Sequence, residues 1–205
     1  MTRPSNFPGE ADEGIDEQVS LMTTLVHLQP PGGCHRVYLE RFSPYFDDPS
    51  LGFTKVGPRP VYRHIYPDSL RHERIAYFFD YTVSGTHSEV ARRRLAKGVA
   101  VWSRRHRKDE PSLEYQRNPG RLVLVDRRTS VEARTEYLGW QADAYEACGD
   151  SPRSCRGLRR QVGLIPDDVS EADVAEFLDA SCLGGFMVRD DGHFLSVALP
   201  QNAGW

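Results

Sequence analysis

The chain has 205 residues, 39% hydrophobic and 27% charged, with a formal net charge of −3, which is enough to bury a core in one large domain or two small ones. It has no run approaching the roughly 20 apolar residues that span a bilayer, and Met1 to Gln18 hold no apolar secretory core. Its four cysteines (Cys34, Cys148, Cys155, Cys182) are scattered and form no C-x-x-C pair, so the chain is expected to be cytoplasmic, with reduced thiols and no membrane association.

Residues 1–15 are polar, acidic and contain Gly and Pro, the composition of a disordered acidic tail. From Asp16 to Leu28, Val19, Met22, Leu25 and Val26 recur at helical spacing. Pro30 and Pro31 end that helix, because proline has no amide donor and restricts the residue before it. Arg36 to Phe42 alternates as a strand. Between Ser43 and Pro67 five prolines interrupt regular structure, yet Tyr45, Phe46, Phe53, Tyr62 and Tyr66 are too many large rings to leave in water. This segment is therefore an ordered, packed loop. Asp68 is placed to cap a short helix through Arg74, and Ala76 to Val83 reads as a buried aromatic strand.

Ser88 to Lys108 has the pattern of a long helix with Val90, Leu95, Val99 and Trp102 inward and its arginines outward. A hairpin follows, Leu113 to Arg117 and Leu122 to Asp126, around Asn118-Pro119-Gly120. Three helices are then expected: Glu136 to Cys148, Ser154 to Val162 ended by Gly163, and a third opened by Ser170 with Asp173 as a capping box and closed by Gly184-Gly185. A tight hairpin, Phe186 to Leu199 around Asp190-Asp191-Gly192, completes the order of a winged helix. The expected fold is α+β: the tail over 1–15, a small mixed α/β subdomain over 16–130, and a winged-helix subdomain over 131–200.

Charge is segregated along this order. Residues 1–89 carry 8 Lys/Arg against 12 Asp/Glu, residues 90–128 carry 12 against 4, and residues 129–205 carry 6 against 13. A basic middle between acidic flanks points to an electrostatic seam, within the chain or toward a partner, although a solvated basic helix face has the same pattern.

Several strings share an order with a known family. Leu28-Gln29-Pro30-Pro31 is followed by Leu39-Glu40-Arg41-Phe42-Ser43-Pro44-Tyr45-Phe46, then Tyr62-Arg63, Tyr66-Pro67, Ala76-Tyr77-Phe78-Phe79-Asp80-Tyr81 and Phe194-Leu195-Ser196-Val197-Ala198-Leu199-Pro200. Over roughly residues 17–200 the chain resembles the C-terminal region of cobalamin-dependent radical SAM enzymes that mature ribosomal peptide natural products. In such enzymes this region follows a cobalamin-binding domain and the radical SAM barrel, and the family uses S-adenosylmethionine, an iron–sulfur cluster and cobalamin. The family's C-x-x-x-C-x-x-C is missing here, with six residues between Cys148 and Cys155 and no third cysteine near them in sequence. No cofactor, catalytic or metal residue is therefore carried over, and the chain is expected to bind none of the three by itself.

Other chemistry is poorly supported. No two of the seven histidines sit four apart on a helix beside an acid, and Cys34-His35 on a strand would point to opposite faces. The third helix carries Glu171, Asp173, Glu176 and Asp179 without a Lys or Arg, which would repel a phosphate backbone. The leading expectation is a non-catalytic accessory or recognition module that docks on a radical SAM enzyme or binds precursor peptide. Candidate partner-binding residues are Arg41, Tyr45, Arg92, Arg93, Arg94, Arg104 and Arg105. The alternatives are the C-terminal half of a split enzyme active only with a barrel supplied in trans, and a winged-helix transcriptional regulator.

Overall fold

The computed structural model describes residues 3–5, 12–83 and 88–201, in which helices and strands alternate as a mixed α+β chain. It divides into two compact units, residues 1–20 with 30–103, and residues 21–29 with 104–205. The expected boundary near residue 130 thus lies well inside the second unit, because the hairpin before it belongs to the same sheet as the strand after it.

In the first unit, strand β1 (Arg3–Ser5) pairs in parallel with β2 (Cys34–Arg36). Helix α1 (Glu13–Thr24) starts inside the segment expected to be a tail, and Ile15 is only 1% exposed. The rest of that expected tail, residues 1, 2 and 6–11, lies outside the described residues. The strand expected over Arg36 to Phe42 narrows to β3 (Leu39–Glu40), because Phe42 adopts φ 69 and turns the chain.

Short helix α2 (Pro44–Asp47) and a 3-10 turn at Pro49–Leu51 then lead to β4 (Phe53–Pro58). Two further single turns, α3 (Tyr62–Ile65) and α4 (His72–Ile75), precede β5 (Phe78–Val83). Arg71, rather than Asp68, occupies the N-cap position of α4. The sheet has the order β3-β5-β4, all antiparallel, and Leu39, Phe53, Tyr62, Ala76 and Phe79 form its core. The Tyr62 hydroxyl accepts hydrogen bonds from the Tyr77 and Phe78 amides at 2.9 and 3.0 Å, supplying the acceptor that the irregular entry to β5 lacks. Helix α5 (Glu89–Asp109) buries Ala91, Leu95, Val99 and Trp102, while Val90, expected inward, is exposed.

The second unit is built on β6 (Leu113–Asn118), β7 (Arg121–Asp126) and β8 (Ala133–Leu138), an antiparallel meander. The sequence suggested a helix from Glu136, yet Ala133 to Leu138 extends as β8 against β7. Gly139, at φ 52 and ψ −129, then breaks the strand and lets α6 (Trp140–Ala147) begin. Helix α7 (Cys155–Arg160) is capped by the Ser154 hydroxyl, and α8 (Glu171–Leu183) by the reciprocal bonds of Ser170 and Asp173. Strands β9 (Met187–Asp190) and β10 (His193–Ser196) form the last hairpin, with Asp191 at φ 43 and Gly192 at φ 71 supplying its turn. A final pair of residues, β11 (Leu199–Pro200), joins β6 in parallel, giving the sheet order β11-β6-β7-β8. One core cluster joins Leu122 and Leu124 of this sheet to Tyr145, Leu158, Val174, Leu178, Met187 and Phe194. Among the described residues, no helix is long and apolar enough to cross a membrane.

His27 sits in this second unit. Its Nε2 lies 2.7 Å from the Val197 carbonyl, to which it donates, and its Nδ1 is buried without a partner. Burial lowers its pKa; the Val197 bond and Asp126 oppose this and Arg128 adds to it. A folded-state pKa below the unfolded one means that the unfolded chain binds the extra proton. Stability is therefore complete above about pH 6.5 and falls as the pH drops below it. Urea midpoints measured from neutral to mildly acidic pH should fall more steeply for the parent than for His27→Leu. Equal slopes would show that this imidazole is not the group responsible.

Candidate functional site

The residues nominated from sequence divide into three groups. Arg41 serves the architecture of the first unit: its Nε donates to the Ala76 carbonyl at 2.7 Å and its Nη2 to the Glu73 carbonyl. Its guanidinium lies 5.5 and 5.1 Å from the Phe46 and Phe79 ring centroids, while Asp80 pairs with Arg59 instead. Tyr45 packs on Phe53 at 5.4 Å and keeps one side in solvent. Arg92 and Arg93 both pair with Glu89, and Arg94 reaches Asp16 at 2.6 Å. These three are partnered within the chain, but Arg92 and Arg93 share one carboxylate, so their positive charge is offset only in part. Arg105 donates to the Arg128 carbonyl at 2.7 Å, and Arg104 is exposed. Arg41, Tyr45, Arg92, Arg93 and Arg94 belong to the first unit, and Arg104 and Arg105 to the second.

The feature that sequence reading missed is the outer edge of β8. Among the described residues no strand pairs with that edge. Which backbone groups face outward follows from the ladder. Gly139 N donates to Gly120 O at 2.9 Å, and Gly139 continues the register in which Leu138 opposes Arg121 and Tyr137 opposes Leu122. Antiparallel pairs alternate between bonded and non-bonded, so Tyr137, Thr135 and Ala133 bond to β7. The N–H and C=O groups of Arg134, Glu136 and Leu138 therefore point outward. Six unpaired backbone groups in a row are a template for an added strand.

The opposite alternation fixes the side chains. Tyr137 turns under the sheet onto α8, its ring 4.9 Å from Phe177 and its hydroxyl 3.0 Å from Ser181 Oγ. Burial raises the Tyr137 pKa, and its bond to Ser181 opposes the rise, so the phenol stays neutral. Helix α7 runs along the other flank of α8, where Cys155 senses Glu171 and Asp179. The flank of α8 bordering Phe177 is thus left to Asp173, Glu176, Ala180 and Leu183, all exposed. Alternation of Thr135 and Tyr137 with charged residues was the available signal for β8, but Glu136, Leu138 and Tyr145 also fit a helical period.

Cys148, Cys155 and Cys182 are separated in sequence, yet all three pack on the core of the second unit. Burial pushes the Cys148 thiol up to about 12, with Arg153 opposing, and also raises Cys155 and Cys182. Among the described residues, no three His, Cys, Asp or Glu side chains are arranged to hold a metal. Cys148 is buried while Cys155 and Cys182 are partly buried, and burial favours the protonated form of all three thiols.

No family model matches the chain, and no curated protein or solved structure is similar to it.

Proposed function

We propose that this chain is a recognition module of ribosomal-peptide maturation that holds a precursor peptide as an added strand on β8. The observation that carries the reading is the unpaired outward edge of Arg134, Glu136 and Leu138 beside the exposed flank of α8. Strand addition suits a precursor peptide, because backbone bonds provide affinity for many sequences while side-chain contacts provide selectivity. The resemblance of the chain's strings to the C-terminal region of radical SAM maturation enzymes supports the choice of partner. In this reading α6, α7, α8 and the β9–β10 hairpin form a winged-helix-like body used for peptide rather than DNA. Glu171, Asp173, Glu176 and Asp179 favour that assignment, since they put negative charge where a recognition helix would need to meet phosphates. The module works in the cytoplasm, where such peptides are made, and leaves the chemistry to a partner enzyme.

The test uses the edge itself. Glu136→Pro removes one outward N–H and leaves the β7 ladder intact, a position where edge strands tolerate proline. A precursor peptide of a cobalamin-dependent radical SAM system, titrated onto the purified chain, should bind the parent. It should also bind Glu136→Gln, and bind Glu136→Pro at least about tenfold more weakly. Equal binding by the proline variant, or no binding by the parent, overturns the reading.

A further inference from the structure

The open edge of β8 carries a charge pattern of its own. Arg134, Glu136 and Leu138 share one face of the strand and are exposed. The Arg134 side chain keeps 66% of its surface in solvent and that of Glu136 45%. Within the chain Arg134 pairs with Glu132 at 2.9 Å and Glu136 with Arg121 at 2.8 Å. Natural edges are kept apart by proline, by bulges or by lysines. This one has no proline and no lysine, and its register with β7 runs without a shift. Its two charges are of opposite sign and two residues apart, a spacing that a second copy of the strand can match.

We infer that this edge pairs antiparallel with the same edge of a second copy of the chain, across a two-fold axis at Thr135. Such pairing uses the open edge on which the peptide reading rests, and it requires no peptide. Only residues whose backbone groups point outward exchange bonds, so Arg134, Glu136 and Leu138 must meet one another. Charge then selects the register. An axis at Glu136 sets that glutamate against its own copy, and an axis at Arg134 sets two arginines together. Like charges directly opposite are destabilising. Sliding toward Leu138 places it against Glu136 and leaves Arg134 without a cross-strand partner. With the axis at Thr135, Arg134 of each copy faces Glu136 of the other, giving two ion pairs and four backbone hydrogen bonds. Arg121 and Glu132 extend each pair into a row of alternating sign, Arg121, Glu136, Arg134, Glu132. On the other face Thr135 meets Thr135, a favourable cross-strand pair. The small Ala133 lies opposite Tyr137, whose ring is already turned onto Phe177 of its own chain. The contact is therefore self-complementary, as a two-fold interface must be. A second copy and a peptide use the same backbone groups, so dimerisation closes the edge that a peptide must open.

Sedimentation of the purified chain, with no peptide added, reads the association directly. A contact of one short strand belongs with weak, transient interfaces, so concentrations up to about 1 mM are scanned. The parent should dimerise, and Glu136→Pro should not. Arg134→Glu and Glu136→Arg should each weaken dimerisation at least about tenfold, because each sets like charges opposite at both pairs. An equimolar mixture of these two variants should associate about as strongly as the parent, since every cross-strand pair is then opposite in sign. The double exchange Arg134→Glu, Glu136→Arg should dimerise alone, which keeps the test valid should one single variant fail to fold. A parent that stays monomeric overturns the inference. So does a dimer that survives both single reversals, or a mixture and a double exchange that both fail to associate. None of these outcomes touches the peptide titration, and a failed titration leaves the dimer standing.

Discussion

Truncating Tyr145 to Ala should destabilise the chain by about 3–5 kcal/mol, the range for deleting a buried aromatic ring. The ring is 0% exposed and lies 5.4 Å from Tyr137 and 6.2 Å from Tyr115. Its hydroxyl donates to the Phe186 carbonyl at 2.9 Å and accepts from the Ala198 amide at 3.3 Å. It therefore ties α6 both to the start of the last hairpin and to the segment after it. Tyr145→Phe keeps the ring and leaves the buried Ala198 amide unpaired, while the Phe186 carbonyl keeps its bond from the Val197 amide, which should cost about 1–3 kcal/mol. Chemical denaturation of the two variants separates the contributions. If the Phe variant is as stable as the parent, the hydroxyl is not needed to satisfy the Ala198 amide.

Replacing Arg128 with Met should cost about 3 kcal/mol, the low end for breaking a buried ion pair, because Asp126 keeps some access to water. The Arg128 side chain is 10% exposed and meets Asp126 with two charged bonds, Nε at 2.9 Å and Nη2 at 2.6 Å. Its Nη1 also donates to the Thr24 and Gly185 carbonyls at 3.0 and 2.7 Å, so one guanidinium joins α1, the β7 end and the turn after α8. Burial raises the Asp126 pKa, but the Arg128 bonds outweigh it and the net shift is downward. The double variant Arg128→Met, Asp126→Asn should recover part of the loss, since no charge is then left unpaired. Additive losses would mean that the carbonyl contacts, and not the ion pair, carry the stabilisation.

Much of the scaffold could be read from residue pattern. The Ser170–Asp173 capping box fixed the start of α8, and Asp191-Gly192 fixed the last turn, because both are local hydrogen-bonding or dihedral requirements. The β6–β7 hairpin was visible for the same reason. Less visible were elements decided by distant partners. Strand β8 looked like the beginning of α6, because its neighbours on β7 and α8 determine which periodicity prevails. Ile15 was placed in a tail, since nothing nearby in sequence indicates its burial.

The choice of candidate residues has a related reason. Sequence reading sought charge and chose the arginines of α5, while the pairing of Arg94 with Asp16, distant in sequence, was out of view. A free strand edge has no composition of its own. It is defined by the absence of a neighbour in the sheet, which only topology reveals.

The pairing of His27 with Val197 has a consequence for how the chain is made. These residues are 170 positions apart, and Leu199 and Pro200 close the sheet against Glu114 and Tyr115. During synthesis the Leu21–Gln29 segment leaves the ribosome long before the residues that cover it. Met22 and Val26, buried in the finished protein, are exposed throughout that interval. Folding of the second unit is thus a high-contact-order event that waits for residues 170 positions downstream of His27. In the meantime a sticky early segment is open to chaperones, and to capture by the wrong strand.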